Sequence, residues 1–200
     1  MARLISIISI ALTLLSIVAC SAGAPTMKVS SAAHKLVPPE FDAALALMKS
    51  GDTEAAEQAF VRLTEVYPRA AGPWTNLGIL AARQQNYERA AKYFIAALQR
   101  DANNVVALNW MAFVTGKNGS YAGALDWYNK ALAINEHYAP SHLNIAILYE
   151  TVFKHPGPAL AHYRRYHELT GGDSILVSAW IYELESANDL VAANVAQVNK

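Results

Sequence analysis

Apolar residues recur along the chain at helical spacing, and the recurrence itself repeats. In residues 71–104, Trp74, Leu77 and Gly78 mark one stripe, and Tyr87, Ala90, Phe94 and Ala97 mark a second. One frame later, Leu108, Met111 and Ala112 take the first set of positions, and Tyr121, Ala124, Tyr128 and Ala131 take the second. Ala43, Ala44, Ala56, Phe60 and Pro68 fit the same frame earlier in the chain. Four segments thus share a register of 34 residues: 37–70, 71–104, 105–138 and, with one insertion, 139–173. Positions i, i+3, i+4 and i+7 fall on one face of an α-helix, so each segment predicts two helices that bury one face apiece. Small residues such as Gly78, Ala90, Ala124 and Ala131 allow close approach, and Tyr87, Phe94 and Tyr128 fill the space between helices. Turns are expected at Ser50-Gly51-Asp52, Gln85-Asn86 and Asn118-Gly119. Pro73 sits in a first helical turn, where a missing backbone donor is tolerated. A period of this length means stacked supersecondary units, an all-α solenoid.

The pattern resembles the tetratricopeptide repeat over about two thirds of the chain, most closely in the second and third copies. The resemblance implies a right-handed superhelix of helix–turn–helix repeats with a concave groove lined by the first helix of each repeat. In that family, six positions of the first helix contact extended peptides or partner helices. Carried onto this chain, they give Thr75, Asn76, Ile79, Ala82 and Arg83, then Val106, Asn109, Trp110, Phe113 and Lys117, then Leu143, Asn144, Ile147 and Glu150. The groove candidates are Asn76, Ile79, Arg83, Asn109, Trp110, Phe113, Lys117, Asn144 and Ile147. An asparagine amide offers both a donor and an acceptor to a peptide backbone, though it can equally bond a neighbouring helix. Trp110 and Phe113 offer an apolar anchor, with packing between repeats as their alternative use. The family's carboxylate clamp for chaperone tails requires a lysine where this chain has Phe41, Thr75, Asn109 and Leu143, so that ligand is not expected.

Composition narrows the function classes. The chain has 200 residues, 54% of them hydrophobic, and a formal net charge of zero. No basic stripe favours nucleic acid. No phosphate loop, paired-histidine helix motif or nucleophile elbow is present, so no catalytic residue, cofactor or enzymatic activity is expected. His137 and His142 are five apart, as are His162 and His167, a spacing that does not share a helix face, and no metal site is expected. Asn118-Gly119-Ser120 matches a glycosylation acceptor formally but reads more simply as a turn.

The amino terminus supplies a second signal. Met1-Ala2-Arg3 is a short basic start, and Leu4–Ala19 is an apolar run of signal-peptide length that ends at Cys20, the one cysteine in the chain. Ile17-Val18-Ala19-Cys20 resembles the bacterial lipobox, which implies cleavage after residue 19 and lipid attachment at Cys20. An uncleaved anchor, or an ordinary secretory signal with an incidental cysteine, is the alternative. Ser21, in place of aspartate, implies sorting to the outer membrane, facing the periplasm. Residues 20–36 are rich in Ser, Ala, Gly and Pro and read as a tether spanning roughly 20–25 Å.

At the other end, His155-Pro156-Gly157-Pro158 replaces the usual turn and is expected to hold the fourth copy's extra residue. After Gly171-Gly172, residues 174–187 read as a capping helix carrying Ile175, Ala179, Tyr182 and Leu184. Residues 188–200 remain open between a short helix and a frayed tail. The repeat domain is therefore expected over 37–187. The whole reads as a lipid-anchored scaffold that binds protein partners in the bacterial cell envelope. It resembles repeat lipoproteins of pilus assembly and those of TonB-type energised transport; the latter end in a segment like Tyr163–Gly171. An adaptor that recruits or regulates a cell-wall enzyme is the alternative.

Overall fold

The computed structural model describes residues 39–198, and among them it shows helices joined by short turns and no strand. The signal peptide, Cys20 and the tether lie outside the described residues. The chain forms two compact units that divide between Ala102 and Asn103. The first holds α1 (Pro39–Ser50), α2 (Thr53–Val66), α3 (Ala71–Arg83) and α4 (Tyr87–Arg100). The second holds α5 (Val105–Lys117), α6 (Tyr121–Ile134), α7 (Ala139–Leu148), a π-helical turn (Tyr149–Phe153), α8 (Pro156–Leu169) and α9 (Ile175–Val198). Helices pack in the expected pairs, α1 on α2, α3 on α4, α5 on α6 and α7 on α8. The fold is all-α, with two helices to each frame.

The stripes become core. In the first unit Ala44, Ala56, Phe60, Leu63, Leu77 and Leu80 form one buried cluster, with the Phe41 ring edge-on to Phe60 at 5.7 Å. Gly78 packs against the Phe94 ring: a Cβ there would lie 2.4 Å from Cε1. In the second unit Ala112, Ala124, Tyr128, Ile145 and Leu148 form one cluster, and Ala139, Ala146, Ala159, Tyr163, Tyr166 and Val177 another. Burial alone pushes the Tyr128 hydroxyl far above its usual range, so it stays neutral at any physiological pH.

The turns between paired helices share one feature in all four copies. A residue with positive φ closes the first helix: Gly51 (86°), Gln85 (61°), Gly119 (86°) and Lys154 (58°). The next residue caps the second helix, and the Asp52 and Asn86 side chains accept from the amides of Ala55 and Arg89. Glycine adopts positive φ freely, whereas a residue with a Cβ is strained there. Gln85→Gly is therefore expected to stabilise the first unit by about 1 kcal/mol, read as a higher urea midpoint with an unchanged slope. An unchanged or lower midpoint would show that the strained turn is relieved some other way.

The fourth copy corrects the expected place of its extra residue. Backbone amides of Asp52, Asn86 and Ser120 each bond the carbonyl five residues earlier, at Leu47, Ala81 and Thr115. His155 instead reaches Tyr149, six residues earlier, at 2.8 Å. The insertion thus lies upstream of the Pro-Gly-Pro segment, absorbed as the π-helical turn 149–153. A single added residue inside a helix produces such a bulge when the packed positions on either side are held in register. Here Ala146 and Ala159, both fully buried, hold them. Pro156 and Pro158 then fall in the first turn of α8, where amides have no intrahelical acceptor to lose.

The last helix also runs beyond the expected boundary at 187. α9 extends to Val198 as one element. No glycine or proline follows Gly172, so the sequence contains nothing to stop it. Val177 is buried, and Trp180 packs its ring 5.3 Å from Tyr163, which covers the end of the α7/α8 pair.

Candidate partner-binding surface

Each candidate residue lies on the first helix of a pair, and burial separates them into two groups. On α3, Thr75, Ile79 and Ala82 are buried at 4%, 8% and 4% exposure, so they are packing residues and not open surface. The Thr75 hydroxyl donates to the Ala71 carbonyl at 3.0 Å. Asn76 is half-buried, and its Nδ2 donates to the Gly72 carbonyl at 3.0 Å, a bond within its own helix. Arg83 is exposed. Beside them, the Arg100 guanidinium sits 4.3 Å over the Trp74 ring, and the Trp74 Nε1 is buried without an acceptor among the described residues.

The second unit brings more of the candidates together. Asn109 on α5 is only 5% exposed. Its Oδ1 accepts from the Ser141 hydroxyl at 3.0 Å and from Asn144 Nδ2 at 3.3 Å, both on α7. This amide is therefore engaged between helices, the alternative that the residue type leaves open. One turn along α5, the half-buried Trp110 and Phe113 rings meet edge to face at 5.5 Å and 77°. The exposed Lys117 places its Nζ 5.3 Å from the Phe113 ring. On α7, Asn144 is half-buried, while Leu143 and Ile147 pack against the cluster around Tyr163. Glu150 follows in the π-helical turn and accepts from the Tyr163 hydroxyl at 2.7 Å. Val106 is the most open apolar member, at 37%.

Two polar features are not marked by the groove positions. Ser141 is fully buried and serves Asn109. Its place, 32 residues after Asn109 and so out of the frame, carries no signal beyond a polar residue on an apolar stripe. His142 and His162 meet across α7 and α8. They are 20 residues apart, and only the pairing of the two helices joins them. His137 instead stands 3.4 Å from Glu136, and His167 lies 3.4 Å from the Ser178 hydroxyl. Among the described residues, no three histidine, cysteine or carboxylate side chains converge as a metal site, and no helix is long and apolar enough to cross a membrane.

The packing of paired helices in a 34-residue register, with a small residue under an aromatic ring, decides the family of the best-matched segment. Residues 41–105 match the tetratricopeptide repeat family. Solved structures of similar fold cover a larger share of the chain. MamA is 17% identical over 74% of this chain and 85% of its own, with a TM-score of 0.61. The Cut9–Hcn1 hetero-tetramer of the APC/C is 19% identical over 73% of this chain and 29% of that one, at 0.63. An O-GlcNAc transferase mutant from Thermobaculum terrenum is 19% identical over 64% and 25%, at 0.60. No curated protein matches the chain significantly. At these identities the likeness shows the fold alone, a stack of paired helices.

Proposed function

We propose that this chain is a lipid-anchored tetratricopeptide scaffold that holds protein partners in the bacterial cell envelope, in pilus assembly or a TonB-type energised transport complex. The observation that carries the binding part is the Trp110–Phe113 pair on α5, flanked by exposed Lys117 and by Asn144. Half-exposed aromatic rings can bury area against a partner, and an amide and an ammonium nearby can bond its backbone or a carboxylate. The hydrogen bonds at this face join amide to amide and hydroxyl to amide, which binds or braces and does not activate a nucleophile. Ile17-Val18-Ala19-Cys20 supports attachment by lipid at Cys20, and Ser21 after it supports a place on the outer membrane facing the periplasm. One acyl chain binds weakly, at about 0.8 kcal/mol per buried methylene, and two or three hold firmly.

The test places a photocrosslinking residue at Lys117 and, separately, at Asn144 of the full-length protein in its own cell, with mass spectrometry of what is captured. Capture of secretin, pilin-assembly or TonB-motor subunits is the expected result and chooses between the two machines. Capture of a cell-wall hydrolase or synthase replaces this reading with recruitment of that enzyme. Crosslinks obtained only from Ile134, an exposed residue of α6, would remove α5 and α7 as the working face.

A further inference from the structure

His142 on α7 and His162 on α8 approach Nδ1 to Nδ1 at 3.0 Å, with ring centroids 5.1 Å apart. His142 Nε2 lies 2.9 Å from the Glu136 carbonyl. A carbonyl can only accept, so this Nε2 carries a proton in every state of the contact. Neutral His142 then offers a bare Nδ1, and the 3.0 Å contact requires the proton to sit on His162 Nδ1. One proton fits between these two nitrogens. Two would point N–H groups and two positive charges at each other across the same gap. The folded pair therefore excludes the doubly charged state that two free histidines reach in mild acid.

Among the described residues no carboxylate pairs with either ring to offset that second charge. Four carboxylates of the surrounding elements are engaged elsewhere: Glu136 with His137, Glu150 with Tyr163, Glu168 with Arg165, and Glu185 with Arg164. Asp126 on α6 and Glu183 on α9 are exposed. The cations of those elements, Lys130 over Trp127 and the two arginines of α8, are likewise occupied. Around His162 the neighbours are rings. Tyr149, in the π-helical turn, lies 6.0 Å from it and stacks on His155 at 6.3 Å and 23°. Burial first, and His142 second, push the His162 imidazole down to about 4.

We propose that His142 and His162 form an acid-sensitive latch of the last helix pair, which opens α8 from α7 at the π-helical turn when both rings are charged. The turn is the natural place for opening. It is the one described segment where the helical ladder departs from α geometry, and Tyr149 joins it to the latch through ring contact. The sign follows from proton binding. His162 titrates lower in the folded chain than its ordinary 6.5, so the unfolded chain binds more protons in between. The latch's stabilisation is complete above about 6.5 and is lost progressively as pH falls towards about 4. For one excluded proton, the unfolding equilibrium rises by at most about tenfold per pH unit, less for a half-buried ring. The latch needs no partner, so its test is independent of the function proposed above.

The test follows the ring resonances of all six histidines of the full-length chain by NMR from pH 8 to pH 4, with thermal unfolding over the same range. His162 is expected to titrate low, with the Tyr149–Phe153 amides moving at the same midpoint. His162→Gln retains a donor to His142 Nδ1 and is expected to flatten the acid slope of the melting temperature. His137→Gln, on an exposed ring, is expected to leave that slope as it was. Independent titration of both rings near 6.5 would overturn the latch, and so would a His162→Gln slope equal to that of the unmodified chain. If His162→Gln does not fold, the titration of the unmodified chain decides by itself.

Discussion

Phe94→Ala is expected to destabilise the amino-terminal unit by about 3–5 kcal/mol, enough to unfold much of it. Phe94 is fully buried, so its removal loses the transfer energy of a whole ring and leaves a cavity that close-packed helices cannot collapse. The cavity would open directly over Gly78, whose backbone is the floor of the ring's site. Gly78→Ala tests the same contact from the other side. A Cβ 2.4 Å from the ring cannot be accommodated in place, and Phe94 has no solvent to swing into. The overpacking costs about 1–3 kcal/mol, against which the better helix propensity of alanine returns at most about 1. The two changes share one space and should not be additive. Gly78→Ala with Phe94→Leu is expected to cost less than the sum of its parts. Urea unfolding of the four chains measures the cycle. Strict additivity would mean that ring and glycine do not touch.

That contact was legible in the sequence because a solenoid imposes it at every frame. Small residues at 44, 78, 112 and 146 and at 56, 90 and 124 announce where helices meet, and all are buried or pressed against an aromatic ring. The turns were legible for the same reason, since Gly51 and Gly119 stand where φ is positive. Gln85 and Lys154 hold the same backbone with the wrong residue type, and only the frame reveals them. The insertion was misplaced for a physical reason. Two prolines draw the eye to residues 155–158, but proline is acceptable in a first helical turn and costs nothing there. The real irregularity is in Tyr149–Phe153, whose residues have no unusual composition. A π-helical turn is set by the register held at its two ends, and periodicity within the turn does not show it.

The site was less legible than the fold. A position carried from a family says which way a side chain points along a helix, not whether a neighbour already covers it. Ile79 and Ala82 occupy such positions and are buried. Asn76 turns its amide nitrogen back to Gly72. Trp110, Phe113 and Lys117 form a continuous surface because three positions of one helix, at spacings of three and four, share a face. Pairs that depend on the packing of two helices, such as Asn109 with Ser141 or His142 with His162, have no local sequence signal at all.

Asn109 and Asn144 should therefore separate in their effects, although the family pattern treats them alike. Asn109→Ala removes the acceptor of the Ser141 hydroxyl, which is 0% exposed and cannot turn to water. An orphaned buried hydroxyl costs about 1–3 kcal/mol, more than the net value of the lost bond. Ser141→Ala added to Asn109→Ala removes the stranded donor too, so the double change is expected to recover part of the loss. Asn109→Asp keeps an acceptor but puts a charge at a site with 5% exposure, and is expected to do no better than alanine. Asn144→Ala loses one longer bond of 3.3 Å from a half-exposed amide, about 0.5–1 kcal/mol. On the scaffold reading its larger effect falls on partner capture, measured by crosslinking from Lys117 in the same cell. Stability moved by Asn109 and capture moved by Asn144 would assign the first amide to the fold and the second to the working face. If Asn144→Ala left capture whole while Asn109→Ala abolished it without loss of stability, the assignment would reverse.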